Sequence, residues 1–277
     1  MDWLIILFFF TMVLPAFGQA RLEAARRALI HQIERKRGSR VIVLIHRTEK
    51  MAILGLPVAR FINIEDSERI LRAINLTPSN MPIDLIMHTP GGLVLAAHQI
   101  ASALTRHPSK VTCFIPHYAM SGGTLLALAS DEIVMDANAV LGPVDPQIGT
   151  SPAVSLLKLV EQKSVEKISD ETLILADIAA KSVRQMDNLL QKILRDHVPE
   201  IKVKAEDIPR ISQELLSGKW THDHPLTVED VRALGLPVQV GMPEELYDLM
   251  DLYPQTGVQH PNVQYIPLPY KKELPAK

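Results

Sequence analysis

At 277 residues the chain is long enough for one sizeable domain with short appendages. Its 29 basic and 31 acidic residues leave a formal net charge of −2, which gives no electrostatic reason to expect a nucleic-acid partner. A single cysteine, Cys113, excludes an internal disulfide and any multi-cysteine metal site. It sits in the apolar run 111–115 with no histidine or glycine-rich turn beside it, so it reads as a buried structural thiol rather than a catalytic one.

The chain opens on an almost unbroken apolar run, residues 3–17, which includes Phe8, Phe9 and Phe10. Extended by Gly18 and Ala20, it approaches the roughly 20 residues of a membrane-spanning helix. A cleavable signal peptide is the rival reading, with Ala16-Phe17-Gly18 as its cleavage site. Such a peptide carries positive charge before its apolar core. Here Asp2 precedes the core, and Arg21, Arg26, Arg27, Arg35, Lys36, Arg37 and Arg40 follow it. The positive-inside bias keeps that flank cytoplasmic, and a reduced compartment suits a lone cysteine. The expectation is an uncleaved single-pass membrane anchor over residues 1–20 with a cytoplasmic body.

Leu22, Ala25, Leu29 and Ile33 then recur at helical spacing with basic residues on the other faces. Residues 21–40 read as a basic juxtamembrane helix, lying against anionic headgroups or serving as a solvated linker, and closed by Gly38-Ser39.

From there strands and helices alternate. Strands are expected at 41–46, 60–64, 83–87, 111–115 and 132–136. Helices are expected from Asp66 to Asn75, at 93–104, and from Ser121 to Ala129. This rhythm predicts an α/β domain with a parallel sheet. After Gly149 the pattern turns helical, at 152–161, 170–194, 208–216 and 227–234. A Pro-rich polar tail, 253–277, is expected to be extended or disordered. The domain itself is taken as 41–252.

Two glycine pairs occupy equivalent places, each just past a strand and at the start of a helix. The first is His88-Thr89-Pro90-Gly91-Gly92. Glycine lets the backbone turn sharply and approach a ligand with no Cβ in the way, and a helix N-terminus adds positive partial charge. Gly91 or Gly92 is therefore a candidate oxyanion donor. The second is Ala119-Met120-Ser121-Gly122-Gly123-Thr124. A serine at such a junction is either a nucleophile, with the Gly122 N–H facing the same substrate atom, or a plain N-cap. Each motif alone is weak. Their separation of about thirty residues, one β-α-β unit, strengthens both.

The succession of strand, Thr89-Pro90-Gly91-Gly92, helix, strand, Ala119-Met120-Ser121-Gly122-Gly123, helix, and Ala129-Ser130-Asp131-Glu132-Ile133 resembles the signal peptide peptidase A group, in particular the branch called the serine dehydrogenase proteinase family. The likeness runs over about residues 41–240, and Ser217-Gly218-Lys219-Trp220-Thr221 through Gly235-Leu236-Pro237 is similar to that family's helix-turn region after the catalytic segment. The resemblance implies a Clp/crotonase-like spiral of β-β-α units, assembled as a homo-oligomer and acting on polypeptides. It places the nucleophile at Ser121 and the oxyanion donor at Gly91 or Gly92. The "dehydrogenase" in the name finds no support, because no Gly-x-Gly-x-x-Gly follows a strand. No cofactor and no metal are expected. His222 and His224 flank Asp223 without a third ligand.

Relatives pair the serine with a lysine some forty to sixty residues downstream. Such a lysine must be neutral, and burial favours the neutral amine. Lys181 follows the apolar stretch 173–180 and is the first candidate, although Asp177 four residues earlier offers a surface ion pair instead. Lys167 and Lys163 are the alternatives. A histidine base stays open, His117 and His88 reading as structural, because a triad is defined by geometry and not by order. Asp145, in the proline- and glycine-rich loop 141–149, is expected to border the site or simply to sit in a turn. The expected activity is a membrane-anchored serine peptidase working through an acyl-enzyme. A non-catalytic membrane scaffold and a crotonase-like acyl-CoA enzyme are the other classes such a fold serves.

Overall fold

The computed structural model describes residue 3 and residues 14–46, 51–53, 56–58, 61–196 and 203–253. The expected anchor over residues 1–20 lies largely outside the described residues, and the tail beyond residue 253 wholly so. Among the described residues no helix is long and apolar enough to cross a membrane.

The first elements are α1 (Leu14–Arg37), β1 (Arg40–Ile45), and a hairpin of β2 (Met51–Ile53) and β3 (Leu56–Val58). Next come α2 (Ile64–Leu76), β4 (Ile83–His88), α3 (Val94–Thr105), β5 (Val111–Ile115), β6 (Tyr118–Ala119) and α4 (Gly122–Leu128). Then follow β7 (Glu132–Met135), β8 (Val140–Leu141), β9 (Gln147–Ile148), β10 (Ser151–Pro152) and α5 (Ala153–Gln162). The chain continues through α6 (Asp170–Asp196), α7 (Ile208–Leu216), α8 (Val228–Ala233), β11 (Val238–Val240) and α9 (Glu244–Asp251). Five strands form one sheet in the order β1-β4-β5-β7-β11, every pairing parallel.

Both faces of this sheet are covered, which is why β4 and β5 are buried at every position and are mostly apolar. Alternate residues serve two cores, as the two-residue strand period requires. Leu85, Met87, Cys113, Ile115 and Ile133 join the large core with α3, α4, α6 and α7. Ile86, Phe114 and Val134 face the other way, toward Ile33 of α1 and Leu246 and Leu249 of α9. The expected apolar stripe of α1 therefore exists, but its C-terminal half packs on the body rather than on headgroups. Arg26 donates to the Leu252 carbonyl at 2.8 Å, and Lys36 pairs with Glu245.

Two expectations are corrected. Of the strand expected at 60–64, only Ile62 pairs, as a single parallel bridge to Gly92, while residue 60 lies outside the described residues. The reason is a capping box. Asn63 Oδ1 accepts from the Asp66 N–H at 2.9 Å, and the Asn63 N–H donates to Asp66 Oδ2 at 3.0 Å, so α2 starts before Asp66. The short strand β11 and helix α9 were not expected from the sequence.

A buried carboxylate lies on the same face of β4 as Ile86. Asp84 is 2% exposed and takes the Arg37 guanidinium, with Nη2 at 3.1 Å, and the Ser39 hydroxyl at 2.5 Å. Removing one partner of a buried pair leaves an uncompensated charge. Arg37→Met is expected to destabilise the fold by about 3 kcal/mol at neutral pH, read as a lower urea midpoint at unchanged slope. An unchanged midpoint would show that the pair holds nothing.

Candidate active site

Two strand-to-helix turns meet at the end of the sheet. β4 leads through Thr89-Pro90-Gly91-Gly92 into α3, and β5 leads through β6 to Ser121 and α4. They lie side by side because Thr89 and Ala119 form a parallel bridge. The Thr89 N–H donates to the Tyr118 carbonyl at 3.2 Å, and the Met120 N–H donates to the Thr89 carbonyl at 2.9 Å.

Ser121 has φ 49° and ψ −114°, and is the only non-glycine residue of positive φ among the described residues. That conformation costs a residue with a Cβ roughly 1–3 kcal/mol. Its side chain makes no capping bond to α4, so the plain N-cap reading is not met. The glycine turn packs directly on it. A methyl group on Gly91 would lie 2.8 Å from Ser121 Cβ and 3.0 Å from the Gly122 nitrogen, and one on Gly92 would lie 2.3 Å from the Ile62 carbonyl oxygen. Neither position has room for a side chain.

The two candidate oxyanion donors separate here. The Gly91 N–H donates to Thr89 Oγ1 at 3.2 Å and is engaged. Among the described residues, the N–H groups of Gly92 and Gly122 have no partner. Thr89 Oγ1 is in turn 2.9 Å from His46 Nδ1, and His46 Nε2 is 3.3 Å from Asp66, so a buried polar chain sets the first turn.

A cavity of about 470 Å³ opens on this junction, lined among others by Phe61, Gly92, Ser121, Asp145, Met186 and His222. Asp145 is 2% exposed. Its Oδ1 accepts from His222 Nδ1 at 2.8 Å, and its Oδ2 accepts from the Gln147 amide at 2.6 Å. The Asp145 carboxylate bonded to the ring raises the His222 pKa above its ordinary value, against the opposing effect of burial.

The expected lysine is elsewhere. Lys181 lies on α6 with its side chain 62% exposed and its ammonium 2.5 Å from Asp177, one helical turn away. It does not line the cavity, and the desolvation that a lysine base needs is missing. The geometry therefore gives Lys181 no support as the base. Lys163 and Lys167 are exposed and also outside the cavity lining. His88 and His117 cluster with Tyr118, the His88 ring 4.2 Å from the tyrosine ring between centroids. Cys113 is fully buried, and burial pushes its thiol pKa up, as fits a structural thiol. His222 and His224 turn to different neighbours. The first turns to Asp145, and the second stacks on Trp220. The sequence offered both the 141–149 loop and His222, but Asp145 and His222 are 77 residues apart and no spacing rule joins them.

A family model described as ClpP-like SDH-type serine proteinase matches residues 1–277. The chain belongs to that family. This places it among the serine proteinases, on a mixed α/β ClpP-like fold with a parallel sheet. Two uncharacterized proteins of Methanocaldococcus jannaschii are similar to this ClpP-like proteinase along nearly its whole length. One is 52% identical over 98% of this chain and 93% of the relative, the other 52% identical over 99% and 92%. Among solved structures, two variants of a membrane-bound stomatin-specific protease, 1510-N, resemble it distantly. The first has a TM-score of 0.44 at 20% identity, covering 69% of this chain and 79% of that one. The second, in complex with a substrate peptide, has a TM-score of 0.45 at 21% identity, covering 68% and 74%.

The left-handed backbone at Ser121 has a measurable consequence in this ClpP-like proteinase. Ser121→Gly relieves the strain and Ser121→Ala keeps it. The glycine variant is expected to be the more stable of the two by about 1 kcal/mol, against the usual penalty for glycine. Equal unfolding midpoints would mean the turn is unstrained.

Proposed function

We propose that the chain is a serine endopeptidase in which the Ser121 hydroxyl attacks a peptide carbonyl, forms an acyl-enzyme and is released by water. One observation carries this reading: a strained serine stands on a cavity wall beside two backbone N–H groups that, among the described residues, have no other partner. Gly92 and Gly122 are the oxyanion donors, since a tetrahedral intermediate needs convergent donors fixed before the charge develops. Gly91 shapes the turn. A non-catalytic scaffold of the same fold would have no use for a Cβ at φ 49°, where glycine is less costly. A crotonase-like acyl-CoA enzyme would need the donors but no serine.

The surroundings support a polypeptide substrate. Phe61, Leu93 and Val94 are 45%, 45% and 53% exposed at the rim of the cavity. A second cavity of about 570 Å³ shares Val94, Pro146, Gln147 and Met186 with the first, so the two adjoin. An extended chain laid across both would bury side chains on either side of the scissile bond. Membrane attachment through residues 1–20 and assembly into a homo-oligomer complete the proposal. The first is supported by the apolar run and the basic residues behind it, the second only by the family resemblance.

Ser121→Ala is expected to lower peptide hydrolysis by roughly 10⁴-fold or more with folding intact, and a fluorophosphonate probe is expected to label Ser121 of the parent. Hydrolysis at the parental rate by the variant would end the proposal. N-terminal sequencing of protein recovered from membranes is expected to begin at Met1. A mature chain beginning near Gln19 would mean a signal peptide and an exported enzyme.

A further inference from the structure

We propose that Thr89, held in turn by His46, is a positioning residue that aims the Gly92 N–H at the oxyanion. This rests on the reading of Ser121 as nucleophile and of Gly92 as one of its donors. The aim of that N–H is set by the peptide it belongs to. A peptide is planar and trans, so its N–H and its carbonyl point in opposite directions. The Gly91 carbonyl accepts from the Ile62 N–H at 2.7 Å, and the Leu93 N–H donates to the Ile62 carbonyl at 2.8 Å. Ile62 thus grips Gly92 from one side. The Gly92 N–H points to the other, where α4 begins. A Cβ built on Gly122 would lie 3.5 Å from the Gly92 nitrogen.

Thr89 holds the residue before that N–H. It is fully buried, and its Oγ1 accepts from the Gly91 N–H at 3.2 Å. Its backbone is committed to the other turn, through Tyr118 and Met120. Its methyl packs on α4, since a Cβ on Gly123 would lie 2.7 Å from Thr89 Cγ2. One residue therefore meets both turns, and its hydroxyl is the part that reaches Gly91.

That hydroxyl has one proton and two acceptors in reach, His46 Nδ1 at 2.9 Å and the Gly91 carbonyl at 3.5 Å. The shorter bond is the stronger, so the proton goes to the ring. The other ring nitrogen, Nε2, is 3.3 Å from Asp66 Oδ2, which also accepts from the Asn63 N–H at 3.0 Å. A carboxylate only accepts, so in the neutral ring the proton sits on Nε2 and the lone pair on Nδ1. From Gly91 to Asp66 every donor then points the same way, and the chain ends on a negative charge, which strengthens its bonds. Without His46, the Thr89 proton would turn to the Gly91 carbonyl. There it would compete with the Ile62 N–H for the group that sets the plane of the Gly92 peptide. Asp66 closes the circuit, because it also caps α2 at Asn63, the residue after Ile62. One route from Asp66 fixes the Gly91 N–H and the other fixes the Gly91 carbonyl.

An oxyanion donor is effective only if it is fixed before the charge develops. A turn of two glycines is poorly suited to fixing itself, because glycine has the widest choice of φ and ψ. Glycine is required there because a Cβ has no room, and the closed circuit supplies the rigidity that glycine lacks. Thr89, His46 and Asp66 do not line the cavity and touch no reacting atom.

The test compares a fluorophosphonate with its P=S counterpart on the full chain, with the adduct located by mass spectrometry. Either probe bonds phosphorus to Ser121 Oγ and releases fluoride and the hydroxyl proton. The P=O oxygen uses the backbone donors, whereas sulfur is a weak acceptor. The ratio of the two labelling rates therefore reports the donors and not the general state of the fold. Thr89→Val keeps the shape and the buried methyl and loses the hydroxyl. It is expected to lower the P=O rate on the order of 10²-fold, with the P=S rate nearly unchanged. Thr89→Ser keeps the hydroxyl and is expected to hold the parental ratio. His46→Asn, whose amide can stand in for Nδ1, is expected to keep more of the ratio than His46→Gln, which reaches only toward Asp66. An unchanged ratio in Thr89→Val, or equal losses with both probes, overturns the proposal and leaves the Ser121 reading standing. Should Thr89→Val not fold, the ratio in His46→Gln decides in the same way. A parent that is never labelled at Ser121 defeats the Ser121 reading, and the proposal with it.

Discussion

The bridge between Thr89 and the segment 118–120 sets the geometry on which the site depends. Its two N–H···O bonds bring the turn after β4 against the turn after β5, closely enough that Gly91 has no space for a Cβ. Parallel strands alone would leave the turns about one strand spacing apart, near ~4.8 Å. The extra pairing beyond the main sheet turns neighbours into contacts. The serine, its two candidate donors and the cavity mouth all depend on that contact, because each belongs to the first residues after a paired strand.

The conformational cost at Ser121 is offset by the burial of the helix it opens. α4 is buried at every position from Gly122 to Leu128, with Leu125, Leu126 and Leu128 fully inside the large core. Burying one leucine contributes about 1.5–3 kcal/mol, so three exceed the roughly 1–3 kcal/mol of strain at the turn. The core holds the helix, and the helix holds the serine in a conformation the chain would not choose locally. A buried helix behind a strained turn is a rigid mount, which suits a nucleophile that must not relax between turnovers.

Much of this was legible in the sequence, and the parts that were not share a cause. The strand 111–115 and helix 208–216 match their expected bounds, since apolar runs and helical periods are local signals. The two glycine pairs and Ser121 were legible for the same reason. The burial expected of Lys181 is not found, because the apolar stretch 173–180 suggested a buried face whereas Ile174 and Ile178 are themselves 61% and 42% exposed and Asp177 stands one turn before the lysine. Composition reported hydrophobicity, and the helix face decided burial. The Asp145–His222 contact was invisible because it joins two loops through tertiary packing. β11 is three residues long, too short for periodicity to register.

The two buried aspartates show how the same chemistry serves different ends. Asp84 and Asp145 are each about 2% exposed, and each takes two side-chain partners. Asp84 faces a guanidinium that is always charged, and the pair ties α1 to β4. Asp145 faces an imidazole, whose charge changes in the physiological range. A carboxylate buried only for stability would be expected to take the permanent cation. Asp145 instead takes a titratable ring, on the wall of a cavity shared with a strained serine. That difference in partner, rather than burial itself, distinguishes the two carboxylates.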